Sequence, residues 1–415
     1  MSYLDQLNDV QRKAATHLDG PVMVLAGAGS GKTRVLTFRI AHLIDTGADP
    51  YNILSLTFTN KAAREMKNRI SQLVGEGNAK ALWMGTFHSV FAKILRFESE
   101  KIGYPSNFTI YDSDDSKSLI RTIIKEMNLD DKVYKPQLVQ RRISSAKNGL
   151  ISATEYQNDR IIYNDDLQAK KPLLGKIYGT YEKRCFKASA MDFDDLLYKT
   201  NILLKNHADV LLKYQNKFRY ILVDEFQDTN FAQSNILKML AARHENICVV
   251  GDDAQSIYAF RGANIQNILQ FKSLYPDVAV FKLEQNYRST KTIVAAANQV
   301  IDNNTEQLKK DVWTSNQEGD SIKLIKCLSE SEEGSFIASE IIDTKTNKNA
   351  SEDDFAILYR TNAQSRAIEE ALRRKNIKYR IYGGLSFYQR KEIKDVLAYF
   401  KLCANPNDEE AFKRV

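Results

Sequence analysis

The octapeptide AGAGSGKT, Ala26–Thr33, constrains this chain more than any other stretch. It follows an apolar run, Val22-Met23-Val24-Leu25, of buried-strand length, and leads into residues 33–44, where apolar side chains recur with helical period. Strand, glycine loop and helix in direct succession commit the region to an α/β layer on a parallel sheet. Gly27, Gly29 and Gly31 permit backbone conformations closed to residues with a Cβ, so successive N–H groups can face phosphate oxygens. The helix N-terminus adds partial positive charge at the same place. Lys32 then reaches β- and γ-phosphates, and the Thr33 hydroxyl is placed to ligate Mg²⁺. Ala26 stands where the pattern begins with glycine, a mild departure. A plain glycine-rich turn before a helix is the competing explanation, and a second string weighs against it.

That string is ILVDEFQD. Tyr220–Val223 reads as a buried strand, which puts Asp224 and Glu225 at its C-terminal end, where open α/β sheets bind ligands. Two adjacent carboxylates leaving an apolar strand repel each other and resist desolvation unless a cation or proton is present. Asp224 is therefore expected to meet Mg²⁺, and Glu225 to act as base or to orient water. The two strings together describe a nucleotide-hydrolysing site.

At 415 residues the chain has room for about three domains. Its 43% hydrophobic and 27% charged residues are those of an ordinary globular protein, and its net charge of +7 is compatible with a polyanionic partner without requiring one. Cys185, Cys248, Cys327 and Cys403 are widely spaced with no CxxC pair, which argues against zinc, iron–sulfur or a disulfide framework. No apolar run has bilayer-spanning length and no signal-peptide core is present, so a reduced, cytoplasmic protein with no membrane partner is expected.

Val22–Leu25, Ile53–Thr59 and Leu82–Gly85 are strand candidates, each followed by a helical pattern. From about Tyr111 to Ala190 the chain turns to polar helical stretches without a convincing strand, which reads as an insertion. Alternation resumes with 192–206, Tyr220–Asp224, 231–242 and Ile247–Gly251. Asp224 must approach Lys32, so the first α/β domain is expected to be discontinuous. A second α/β unit is expected from near Val278, with strands Ile322–Cys327, Phe355–Tyr359 and Tyr379–Tyr382 and a helix at 364–375.

Further motifs surround this frame. Gln11, in LNDVQRKAA, carries an amide that suits the edge of adenine. VVGDDAQSIYAFRGA holds Gln255, a candidate sensor of the γ-phosphate or its water, and the rings of Tyr258 and Phe260, which suit base stacking or core packing equally. LEQNYRST pairs Tyr287 with Arg288, a guanidinium expected to come from a second domain as an arginine finger.

The order LNDVQRKA, AGAGSGKT, LTFTNKAAREM, GTFHS, VDEFQD, VVGDDAQSIYAFRGA, LEQNYRST resembles the UvrD/Rep/PcrA family of superfamily 1 DNA helicases, and the likeness continues through ILYRTNAQSRAIEEAL and GGLSFYQRKEIKDVLAYF. The resemblance implies an α/β P-loop NTPase, RecA-like motor domain 1A at 1–110 and 191–278, a helical insertion 1B at 111–190, part of a second RecA-like domain 2A at 279–385, and the start of a further insertion 2B at 386–415. It implies ATP and Mg²⁺ as cofactors. Gln11, Ala26, Gly27, Ala28, Gly29, Ser30, Gly31, Lys32, Thr33, Arg34, Tyr287 and Arg288 would line the nucleotide, with Tyr287 stacking on the base. Thr33 and Asp224 would hold the metal, and Lys32, Asp224, Glu225, Gln255 and Arg288 would carry catalysis. Phe58, Asn60, Thr86, His88, Tyr258, Phe260 and Arg261 would line a single-strand track, with Phe260 at a position commonly tryptophan in the family. Implied partners are single-stranded DNA and single-strand/duplex junctions, with 3′ to 5′ movement. The family's later motifs, including a second arginine finger, do not occur, so a fragment with impaired turnover is expected. A helicase–nuclease motor subunit and a nucleotide-dependent DNA-binding switch remain as alternatives.

Overall fold

A computed structural model describes residues 3–305, 307–383 and 387–415. The chain divides into two compact units, residues 1–319 with 397–415, and residues 320–396. The first is built on a six-stranded, all-parallel sheet of β1 (Val22–Ala26), β2 (Ile53–Thr57), β3 (Trp83–Thr86), β6 (Tyr220–Val223), β7 (Ile247–Gly251) and β8 (Ala279–Leu283), in the order β3-β2-β6-β7-β1-β8. Alternate residues of the inner strands enter opposite cores. Met23, Leu25, Leu54, Leu56, Ile221 and Val223 pack with helices 87–98, 193–206 and 231–241, whereas Val22, Val24, Ile53, Leu222 and Val250 pack with α2 (Lys32–Asp45) and α3 (Asn60–Val74). Helices on both faces are the reason these strands read as unbroken apolar runs. Each such side chain contributes roughly 1.5–3 kcal/mol through burial, so truncating Leu222 to alanine would cost about 2–5 kcal/mol.

Strand ends and helix caps coincide along the C-terminal edge of the sheet. Thr59 caps α3 by accepting from the Ala62 N–H, so β2 stops two residues short of the expected Thr59. Thr86 ends β3 and caps helix 87–98. The domain boundary expected at 278/279 falls inside this sheet, because β8 pairs with β1 from Val22↔Ala279 to Ala26↔Leu283.

The insertion has its own core, including Ile120, Ile123, Ile143, Ile177 and Tyr178. Two short parallel strands, β4 (Thr109–Tyr111) and β5 (Ala190–Asp192), close its base. No strand was expected there, since three residues are too few to show a period. At that base Lys147 is fully buried between Asp192 and Asp195, at 2.7 and 2.9 Å. Residues 397–415, expected to begin a separate insertion, instead pack within this first unit. The Asn405 side chain donates to Thr109 Oγ1 and to the Ala188 and Ser189 carbonyls.

The second unit is a pair of helices, Glu330–Lys348 and Ser365–Arg374, joined through Ala338, Ile341, Ile368, Ala371 and Leu372. The three expected strands at 322–327, 355–359 and 379–382 are not strands here. Phe355, Ile357 and Tyr359 do lean on the helix pair while Leu358 is 93% exposed, so the alternation is real. A strand also needs a neighbouring edge for its N–H and C=O groups, and among the described residues none pairs with these segments. Gly384 to Ser386, near the expected passage into a further insertion, lie outside the described residues. Among the described residues no helix is long and apolar enough to cross a membrane.

Candidate active site

The loop between β1 and α2 is held from outside. Gly29 and Gly31 take φ of 68° and 89°, the left-handed region that glycine occupies without strain. Gly31 is also crowded: a Cβ there would meet Gln11 Nε2 at 2.8 Å. Four successive carbonyls already have donors. Ser30 Oγ donates to Gly27 O at 2.7 Å, Asn286 Nδ2 to Ala28 O at 2.7 Å, Tyr287 N to Gly29 O at 3.0 Å, and Gln11 Nε2 to Ser30 O at 2.9 Å. Engaging the negative ends of these dipoles leaves a loop suited to an anion, next to a helix N-terminus.

Lys32 donates to Glu225 Oε2 at 2.7 Å, which joins the two strings the sequence separates. Glu225 itself takes φ 50°, an uncommon conformation for a residue with a Cβ and one associated with functional sites. Its carboxylate also accepts from Gln227 Nε2 at 2.9 Å. Asp224 is buried, and desolvation, reinforced by Glu225, raises its pKa to about 7. The same two causes raise Asp228 to about 6, and its Oδ1 is buried without a hydrogen-bond partner. A buried carboxylate that resists ionisation, one residue from the lysine-bound Glu225, fits a divalent cation. Among the described residues no three His, Cys, Asp or Glu side chains converge as a metal cage. Mg²⁺ needs only one or two protein groups beside phosphates and water, and Asp224 and the Thr33 hydroxyl are the groups that could hold it.

A cleft of about 450 Å³ gathers these groups: Gln11, residues 29–34, Glu225, Gln255, Tyr287 and Arg288 all line it, joined by Gln6, Glu65 and Arg69. Ala26, Gly27, Ala28 and Asp224 are not among the residues that line it. Gln11 is 2% exposed, and its amide is committed to Ser30 O and to the Asn8 N–H, so it braces the loop. Tyr287 exposes its ring, with its hydroxyl tied to Asn8 and Gln285. Arg34 donates to the Gln6 carbonyl at 2.9 Å. Arg288 was expected from a second domain. It belongs to the same compact unit as the loop, and its neighbours Asn286 and Tyr287 bond directly to that loop. Asn286 and Gln227 escaped the sequence reading. Buried amides have no periodic signal, and only their position inside QNYRS and DEFQD could have singled them out.

The candidate track residues form two groups at the same edge of the sheet. Beyond β2 and β3, Phe58 packs on Phe87 with ring centroids 5.5 Å apart, Asn60 is exposed, and Thr86 is engaged as a helix cap. His88 rests on Phe193 at 5.0 Å, and burial lowers its pKa to about 4, so it is neutral at pH 7. Beyond β7, Tyr258 and Phe260 lie 5.9 Å apart with Arg261 over both rings, and Phe260 is 78% exposed. Exposure of these rings excludes the core-packing alternative.

Residues 7–276 match the family described as the UvrD/REP helicase N-terminal domain, and residues 281–415 match the UvrD-like helicase C-terminal domain. The chain is 46% identical over 413 residues to the ATP-dependent DNA helicase PcrA of Staphylococcus aureus, covering 99% of this chain and 56% of that protein. The corresponding figures for PcrA of Bacillus subtilis are 48%, 99% and 55%. The chain thus spans about half the length of the curated relatives it matches.

Proposed function

Since the chain belongs to the UvrD/Rep/PcrA family of superfamily 1 helicases, we propose that it couples ATP hydrolysis to 3′ to 5′ movement along single-stranded DNA, as a DNA helicase acting in repair or replication. The observation that carries this reading is the gathering of Lys32, Thr33, Glu225, Gln255, Tyr287 and Arg288 around one cleft, with an exposed pair of rings a few residues beyond Gln255. Mg²⁺, when bound, supplies charge neutralisation at the phosphates. Lys32 leaves Glu225 for phosphate, which frees the Glu225 carboxylate to orient water. Gln255 and Arg288 border the same cleft and close on the γ-phosphate. Tyr258 and Phe260 stack on bases without sequence preference, at roughly 1–3 kcal/mol per base.

Buried free thiols at Cys185 and Cys248 favour a reducing, cytoplasmic setting. The test is ATP hydrolysis with and without oligo(dT). Stimulation by the oligonucleotide that disappears in Glu225→Gln, with both ligands still bound, supports a motor. Hydrolysis indifferent to DNA sinks it.

A further inference from the structure

The segment that follows Arg288 returns to the site from a second direction. After helix 291–301 the chain brings Lys310 into a nearly closed position, 6% exposed at its side chain, where Nζ pairs with Asp252 Oδ1 at 2.8 Å and with Asp253 Oδ1. The Leu308 N–H donates to the other Asp253 oxygen at 2.7 Å. Burial alone would lower the lysine's pKa, yet the two carboxylates outweigh it and hold the value above that of ordinary lysine. Asp252 is itself a junction. Its Oδ2 accepts from Gln255 Nε2 at 2.6 Å, and its N–H donates to the Gln227 side chain, whose Nε2 binds Glu225. Three residues past Gln255 begin the exposed rings of Tyr258 and Phe260.

One continuous stretch, 284–314, therefore touches the nucleotide loop through Asn286 and Tyr287 and the Gln255 loop through Leu308 and Lys310. We infer that Lys310 is a positioning residue that couples nucleotide occupancy to the DNA-stacking loop, by tying movement of the Arg288 segment to Asp252, and through it to Gln255 and the rings beyond. A cation is needed there because Asp252 and Asp253 are adjacent and buried, and without a counter-charge they would push the loop apart. Nucleotide that draws Arg288 inward shifts the segment carrying Lys310, and the loop holding the rings follows.

The inference rests on the DNA-motor reading, and a binding cycle separates the two. Affinity for fluorescent oligo(dT) is measured with and without a saturating non-hydrolysable ATP analogue, in the 415-residue chain and in Lys310→Gln and Lys310→Arg. The unsubstituted chain is expected to show coupling of about fivefold or more. Lys310→Gln should bring it close to one while each separate affinity stays within about twofold, and Lys310→Arg should restore it. A chain that binds neither ligand refutes the motor reading itself. Binding of both without coupling, or coupling unchanged in Lys310→Gln, overturns the role of Lys310 alone. If Lys310→Gln lowers the folded fraction, Asp252→Asn replaces it, removing the carboxylate that links Lys310 to Gln255 while keeping the lysine. Unchanged coupling there also overturns the inference.

Discussion

The nucleotide loop and the ring cluster at 257–261 lie in one compact unit but are held in opposite ways. Around the loop nearly every polar group has a fixed partner: Gln11, Asn286 and Tyr287 grip its carbonyls, Lys32 is set on Glu225, and Gln227 holds Glu225 in turn. The rings of Tyr258 and Phe260 touch each other and Arg261 and otherwise face outward. The difference follows from the chemistry each is suited to. Orienting a water against a phosphate tolerates little displacement, so the donors are preorganised. Stacking accepts any base and a range of registers, so a surface pair of rings suffices.

The comparison breaks most sharply at Glu225. Glu225→Gln keeps the hydrogen-bonding shape but removes the carboxylate, and under the proposed role as base the rate of ATP hydrolysis should fall by about 10²–10⁴ with ATP and DNA binding intact. Rates within threefold of the unsubstituted chain would remove Glu225 from catalysis. Lys32→Ala comes next. It deletes a charge-assisted contact to phosphate and strands Glu225, so nucleotide affinity should fall by about 1.5–3 kcal/mol in equilibrium titration while oligo(dT) affinity is unchanged. Phe260→Ala should do the reverse: single-strand affinity weakens by about 1–3 kcal/mol, nucleotide affinity is unaffected, and the thermal midpoint hardly moves because the ring is exposed.

Two smaller effects depend on pH. The fold favours protonated Asp224, so the stability it contributes is complete below the ordinary carboxylate value and is lost as pH rises through about 7. As the proposed Mg²⁺ ligand Asp224 would have to be ionised, and Mg²⁺-nucleotide affinity should therefore climb from pH 6 to 8 by up to about tenfold per unit below the pKa. Asp224→Asn, titrated at the same pH values, should flatten that dependence. His88 has the opposite sign. Burial lowers it to about 4, so the contribution is present above about 6.5 and is lost as pH falls toward 4. Between pH 7 and 5 the thermal midpoint of His88→Gln should fall less than that of the unsubstituted chain.

Much of the first unit was legible in sequence because its strands are buried on both faces and its helices are amphipathic. β1, β6 and β7 stand where apolar runs indicate them, and Gly29, Gly31 and Lys32 occur in a spacing that few other structures use. The insertion's helices were legible as well, but not the three-residue strands at its base. Ile322–Cys327 and Phe355–Tyr359 carry a strand alternation that remains unpaired, because strand formation depends on a partner edge that no local pattern supplies.

By itself, the sequence determined which residues the candidate site could draw on: a glycine-rich loop with a lysine, two carboxylates after an apolar strand, a glutamine, a tyrosine and an arginine in a characteristic order. Those identities rest on short-range rules of backbone freedom and charge, which a linear string carries in full. Only the tertiary structure decided that Arg288 packs in the same unit as the loop, that Gln11 braces Ser30, and that Lys310 reaches Asp252 and Asp253. Such contacts join residues far apart in the chain, and their existence depends on how the strands are ordered in the sheet, which is a property of the whole packed core.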